Sequence, residues 1–244
     1  MSRYDGSVPS NAPRPSPTRQ GLLLVVATPR EARGILGRFG LDDDLARTEW
    51  RATQLDGRLD LVVSGIGKAN AAGAAAAMLD PERHEAVISV GVCGALPSSD
   101  LEIGDVVLAE QSLYADEGIE TPDGFMDCAA MGFPLGPFEG AGVKHDLTWI
   151  KSLGQLADRR GVIATVSTCS GTDAAALRVV ARTDALAEAM EGAAVAQVGA
   201  RLGVQTAEIR VVSNTTGDRS AQRWDLDAAL ERLHAVIASL GSNG

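Results

Sequence analysis

The chain has little with which to build a metal centre or a disulfide framework. Its three cysteines, Cys93, Cys128 and Cys169, are odd in number, widely spaced and without a CxxC pair. That argues against a disulfide scaffold and a zinc site, and it fits a reducing cytoplasm. Its three histidines, His84, His145 and His234, show no metal-ligand spacing, so neither a metal nor another cofactor is expected. The apolar stretches are too short to span a bilayer, and the N-terminus lacks the hydrophobic run of a signal peptide. Basic residues number 22 against 32 acidic ones, for a net charge of −10, and they form no run or stripe. Nucleic acid and anionic membranes reward clustered Lys and Arg, so neither is an expected partner.

What is present is the material of one large α/β core. The 244 residues show no composition break near their middle, which predicts a Pro/Ser-rich disordered tail over residues 1–20 and a single domain over 21–244. "GLLLVVAT" has the continuous apolar character of a strand buried on both faces. Pro29 opens the helical "REARGILGRF". "LDLVVSG", the Ala-rich "IGKANAAGAAAAML", the strand "EAVISVGV" and the turn "GVCGALP" follow. "GDVVLAE" is a strand, Gln111 to Gly140 reads as irregular, and "DLTWIKSLGQLA" has helical spacing. "GVIATVST", "DAAALRVVA", "EAMEGAAVAQVGARLGV", "QTAEIRVVSN" and "LDAALERLHAVIASL" read as strand, helix, helix, strand and helix. This alternation predicts an α/β fold with a mainly parallel sheet covered on both faces, whose ligand site lies at the strand carboxyl ends.

Four places supply polar groups near such ends: Glu31, the Gly91 to Gly94 turn, Met190 with Glu191, and Ser213 with Asn214. Taken as helical, Glu191 heads a stripe of Ala194, Val195, Val198 and Leu202. An ionised carboxylate there needs a partner. It could be an Arg, such as Arg210, or vicinal hydroxyls of a sugar, and the residues alone leave both open. "SGIGKAN" lacks the spacing of the phosphate-binding loops. Its glycines suit close packing, and Cys93 suits packing better than nucleophilic attack. In "GVCGAL", backbone N–H groups at Gly91 could face a ligand.

The order "SGIGKANAA", "VGVCGALPSSDLEIGDVVLAE", "AMEGAAVAQVGARLGVQTAEIRVVSN" resembles the nucleoside phosphorylase/nucleosidase superfamily over roughly residues 21–240. It is most similar to the 5′-methylthioadenosine/S-adenosylhomocysteine nucleosidases and their relatives, the futalosine hydrolases. The resemblance implies a three-layer αβα sandwich with a mixed, mainly parallel sheet, and cleavage of a purine N-glycosidic bond. It implies that Glu191 accepts hydrogen bonds from the ribose hydroxyls, that Met190 packs on the sugar, and that Glu31 activates water. Gly91, Thr172 and Ser213 complete the implied substrate-binding set. Carboxylate charge suits an oxocarbenium-like transition state, and a general base suits water attack.

In the methylthioadenosine branch the last strand ends in Ser-Asp; here it ends in "VVSN". The Asn214 amide, with two N–H donors, suits the two acceptors of a 6-oxopurine. "YADEGIETPDGFMDCAAMGFP", "TVSTCSGT" and "SNTTGDRSAQRWDLDAAL" resemble futalosine hydrolase segments, implying release of hypoxanthine from futalosine in menaquinone biosynthesis. Asp218 is a candidate donor of the N7 proton or a turn residue. Arg219, Arg223 and Lys144 are candidates for the aryl carboxylate on the 5′ side. The competing readings are a methylthioadenosine nucleosidase, a phosphorylase and a non-catalytic nucleoside-binding module. A homodimer or higher homo-oligomer is implied, in which the loop "GFMDCAAMGFPLGPF" could reach a neighbour's pocket.

Overall fold

The computed structural model describes residues 20–97, 99–149 and 151–241; of the expected tail, residues 1–19 lie outside the described residues. The elements are β1 (Gly21–Val26), α1 (Pro29–Arg38), β2 (Ala52–Gln54), β3 (Leu59–Val63) and α2 (Lys68–Met78). They continue with β4 (His84–Ala95), β5 (Val106–Tyr114), β6 (Gly118–Thr121), β7 (Gly124–Asp127) and β8 (Gly142–Lys144). After them come α3 (Lys151–Leu156), β9 (Arg159–Thr165), α4 (Asp173–Thr183), β10 (Ala187–Ala189), α5 (Gly192–Leu202), β11 (Gln205–Thr215) and α6 (Leu226–Gly241).

Every residue of β1 is buried, as a continuous apolar run requires when both sheet faces are covered. Leu22, Leu24 and Val26 face Ile35 and Leu36 of α1 and Leu233 and Ile237 of α6. Leu23 and Val25 face Ala71, Ala74 and Ala75 of α2 and Val195 of α5. Alternation along the strand therefore sends successive side chains to opposite helical layers, giving the three-layer αβα arrangement. Each such Leu contributes about 1.5–3 kcal/mol by leaving water.

The main sheet is mixed and mostly parallel: β1 runs parallel to β3 and β4, β4 to β11, and β9 to β5 and β10. β10 also pairs antiparallel with β4, so β4, β11, β5, β9 and β10 close on themselves. This closure crowds the ends of β4, β10 and β11 together.

Three local expectations are corrected. "GVCGALP" turns only after Ala95: β4 runs to that residue, with Gly91 opposite Arg210 and Ala95 opposite Thr215 on β11. Gly91 is required there by side-chain clearance, not by a turn. Gln111 to Gly140 is not wholly irregular, because β5 extends to Tyr114 and β6 and β7 form an antiparallel hairpin. Glu191 is not helical but stands at the N-cap of α5, with φ −129° and ψ −31°. The three-residue β10 just before it uses the backbone that the helical reading claimed. Ala194 and Val195 are buried as expected, while Leu202 at the far end of the stripe is exposed.

Candidate active site

α1 begins with a capping box that also fixes a carboxylate. The Thr28 hydroxyl accepts from the Glu31 N–H, and Glu31 Oε2 accepts from the Thr28 N–H and hydroxyl, both at 2.9 Å. Its other oxygen, Oε1, accepts from the Val92 N–H at 3.1 Å. Glu31 is thus held at the carboxyl end of β1, 4% exposed. Burial raises its pKa above the ordinary value, outweighing Arg210 and the Thr28 hydrogen bond that lower it.

Glu191 reaches the same place from the end of β10. Its Oε1 accepts from the Gly67 N–H at 3.0 Å, its Oε2 from the Met190 N–H at 3.3 Å, and Arg210 Nη1 lies 3.3 Å from Oε2. "SGIGK" therefore uses a backbone N–H to hold a carboxylate. Gly67 has φ +94°, a conformation glycine adopts without Cβ strain.

Arg210 is the hub. It is 1% exposed on β11. Its Nε donates to Glu208 Oε1 at 2.9 Å and its Nη2 to Ser89 Oγ at 2.8 Å. Burial opposes its charge, but Glu208, Glu191 and Glu31 together hold it firmly protonated. Gly91 is where strand and cluster meet. A Cβ there would stand 2.5 Å from both Arg210 Nη1 and Glu31 Oε1. Gly91 thus lets the guanidinium and carboxylate lie on the strand, and its Cα faces them.

At the end of β11, Ser213 and Asn214 are buried. The Ser213 hydroxyl lies 2.9 Å from Asn214 Oδ1 and 3.2 Å from the Cys93 carbonyl. Asn214 Nδ2 donates to the Thr215 carbonyl at 3.0 Å. One amide N–H is left to donate elsewhere. Cys93 lies buried with its thiol pushed up to about 12 by desolvation, as a packing residue would.

Glu31, Gly91, Glu191 and Arg210 are thus drawn together, and Ser213 and Asn214 close the neighbouring strand end. Met190 packs against the apolar cluster that contains Leu96, Ala164, Val166 and Ala176. Thr172 is exposed, and its hydroxyl caps α4 by accepting from the Ala175 N–H. Asp218 and Asp173 each accept from the other's backbone N–H, so Asp218 serves the turn. Of the three basic residues considered for a 5′ carboxylate, two have partners of their own. Arg219 stacks on Trp224, Arg223 meets Glu102, and Lys144 lines a separate cleft with Arg178, Phe125 and Thr206.

The sequence reading named Arg210 only as one partner for Glu191 and passed over Glu208 and Ser89. The signal was available. In "AEIRVVSN" two charged residues stand two apart in an apolar strand, hence on one face, where each must answer the other's charge.

A superfamily is now identifiable. The sequence profile of the phosphorylase superfamily matches residues 24–241, and the chain belongs to that superfamily. Within it, the chain stands among the nucleosidase hydrolases. It is 36% identical over 223 residues to futalosine hydrolase of Acidothermus cellulolyticus, covering 90% of each chain. It is 31% identical to 5′-methylthioadenosine/S-adenosylhomocysteine nucleosidase of a Geobacillus species, covering 82% of this chain and 87% of that one. The crystal structure of the latter enzyme from Helicobacter pylori superposes with a TM-score of 0.71 at 21% identity, covering 93% of this chain and all of that one. That likeness establishes the shared fold.

Proposed function

We propose that this chain hydrolyses the N-glycosidic bond of a 6-oxopurine ribonucleoside and that its substrate is futalosine, from which it releases hypoxanthine. The observation that carries the reading is Asn214. One of its amide hydrogens goes to the Thr215 carbonyl and its oxygen lies beside the Ser213 hydroxyl, so the second amide hydrogen is the group it offers to a ligand as a donor. A donor matches O6 or N7 of hypoxanthine and leaves adenine's amino group unanswered. Similarity to futalosine hydrolase over most of both chains supports the same substrate.

In this reading Glu191 accepts hydrogen bonds from the ribose hydroxyls, and Arg210 fixes the carboxylate that does so. Glu31 takes a proton from water as the water oxygen bonds to C1′. The C1′–N9 electron pair leaves with the base, ribose gains the hydroxyl, and the proton taken up by Glu31 returns to solvent, from which the departing base takes one, so that one water is consumed per turnover. Glu31, Glu191 and Glu208 face one guanidinium, and their excess negative charge favours the positive charge that develops on the ribose. The same reading includes a homo-oligomer, supported by the exposed Ile119, Met126 and Phe133.

Futalosine, aminofutalosine and 5′-methylthioadenosine, each supplied with and without inorganic phosphate, test the proposal by the base and sugar products. Hypoxanthine should appear from futalosine regardless of phosphate, with kcat/KM exceeding that for methylthioadenosine by at least about tenfold. A preference for methylthioadenosine overturns the substrate, and a sugar 1-phosphate product overturns hydrolysis. Binding without base release from any of them would leave a nucleoside-binding module.

A further inference from the structure

Behind Arg210 lies a line of polar groups that touches none of the proposed reacting atoms. Glu208, fully buried on β11, receives the Ser112 hydroxyl on Oε2 and Arg210 Nε on Oε1. Ser112 Oγ is also 2.8 Å from His145 Nε2, and His145 Nδ1 is 2.8 Å from Thr206 Oγ1. A hydroxyl has one proton. If Ser112 gives it to the Glu208 carboxylate, it must accept from His145, which fixes the Nε2–H tautomer and leaves Nδ1 to accept from Thr206. Every donor in the line then points toward Glu208. Burial pushes the His145 pKa down to about 4, so the ring is neutral.

Glu208 also lies against the residue that follows Glu191. A Cβ on Gly192 would overlap the Glu208 carboxylate. The glycine of "MEGAA" is the space that this carboxylate fills. Glu208 therefore touches the backbone next to Glu191 and the cation that pairs with Glu191.

We propose that Glu208, backed by Ser112 and His145 and admitted by Gly192, is a positioning residue that sets the angle at which Arg210 presents Glu191 to the substrate's ribose hydroxyls. With Nε held by Glu208, Nη2 by Ser89 and Nη1 facing Glu191, the guanidinium cannot turn about its Cδ–Nε bond. Without Glu208 the Nε restraint is lost, and the contacts at Nη1 and Nη2 alone must hold its plane. The inference rests on the proposed ribose role of Glu191.

The test uses whichever of futalosine and 5′-methylthioadenosine the enzyme cleaves, together with the 2′-deoxy form of that nucleoside. Wild type, Glu208→Gln, Ser112→Ala and the pair Glu208→Ala/Gly192→Ala are compared by kcat/KM and melting temperature. In the double variant the new methyl occupies the space the carboxylate leaves. Wild type should favour the ribo form by at least about tenfold. The double variant should lose most of that ratio, with kcat/KM for the ribo form falling by ~10²-fold. Ser112→Ala should lose less, and Glu208→Gln, which keeps an acceptor for Arg210 Nε, least. A purely structural role would slow both forms equally, so variants that slow cleavage at an unchanged ratio overturn the proposal. Equal rates of wild type on both forms overturn the ribose role of Glu191 and this inference with it.

Discussion

Carboxylate meets arginine in two different ways in this molecule: Asp60 is buried beneath the exposed Arg83, whereas Arg210 is buried and shared among several carboxylates. At the amino ends of β3 and β4, one carboxylate meets two bases. Asp60 receives Arg83 through two hydrogen bonds of 2.7 and 2.9 Å and His84 Nε2 at 2.9 Å. Farther along the sheet, three carboxylates, Glu31 and Glu191 from strand ends and Glu208 from within β11, surround the Arg210 guanidinium. The pKa values move accordingly. Burial alone would raise Asp60, but the hydrogen bonds from Arg83 and His84 outweigh it and hold the pKa below the ordinary value. Burial raises Glu31 and Glu208, and the shared Arg210 does not overcome it. A carboxylate matched by an arginine and a second hydrogen-bond donor stabilises the fold, whereas carboxylates that share one cation cost stability unless a ligand supplies positive charge. The oxocarbenium-like transition state of glycoside cleavage would supply it.

The comparison breaks most visibly at Glu31. Glu31→Gln should lower kcat by ~10²–10⁴-fold, the range for loss of a general base, while the melting temperature moves less than for a change at Asp60. The sign follows from the raised pKa. The folded state binds this proton more tightly than the unfolded chain, so the carboxylate's stability cost grows as pH rises from 4.5 through the folded value. Gln removes that cost while losing an acceptor. Wild-type kcat/KM should have an acid limb above pH 4.5, and the variant should lose it; measurement across pH checks both. A variant that melts much earlier with its turnover intact would make Glu31 a structural residue like Asp60.

Asp60→Asn should do the reverse. It should cost about 1–3 kcal/mol of stability, the loss of charge-assisted hydrogen bonds, with kcat/KM unchanged. Here the folded pKa is depressed, so the stabilisation is fully present above pH 3.8 and is lost as pH falls through the lower folded value. Chemical denaturation of wild type and variant should show a gap at neutral pH that closes on strong acidification. A gap independent of pH would trace the loss to packing.

These clusters also mark how far the sequence could be read. The apolar runs of β1 and β3 and the Thr28–Pro29–Glu31 opening of α1 were legible, because burial on two faces and helix capping act through neighbouring residues. Glu31 and Glu191 were legible as lone carboxylates near strand ends. Arg210 was legible as a candidate partner for Glu191, but its sharing with Glu31 was not, because it enters from a strand that becomes their neighbour only in the folded sheet. The glycines misled in one direction. Gly91 looked like a turn residue, whereas its missing Cβ makes room for Glu31 and Arg210 inside a continuous strand. Ser112 and His145 carry no local pattern; they reach Glu208 only because β5 and β8 pair and β5 lies beside β11.

The smallest predicted effect sharpens the functional end of the comparison. Asn214 is neutral, so the base site adds no charge to the three carboxylates. Asn214→Asp would place a fourth acid near Cys93 and Ser213. The Ser213 hydroxyl could still donate to one of its oxygens, but the contact with the Thr215 carbonyl would lose its donor. As a carboxylate, residue 214 could only accept, which suits an amino group. As a protonated acid it could also give a proton to N7. Activity on 6-aminopurine nucleosides should therefore rise relative to 6-oxopurine ones by about tenfold, the worth of one matched hydrogen bond. Competing futalosine against aminofutalosine in one reaction measures the ratio directly, independent of the fraction of folded enzyme. An unchanged ratio would remove Asn214 from base selection and leave it as a closing residue of β11.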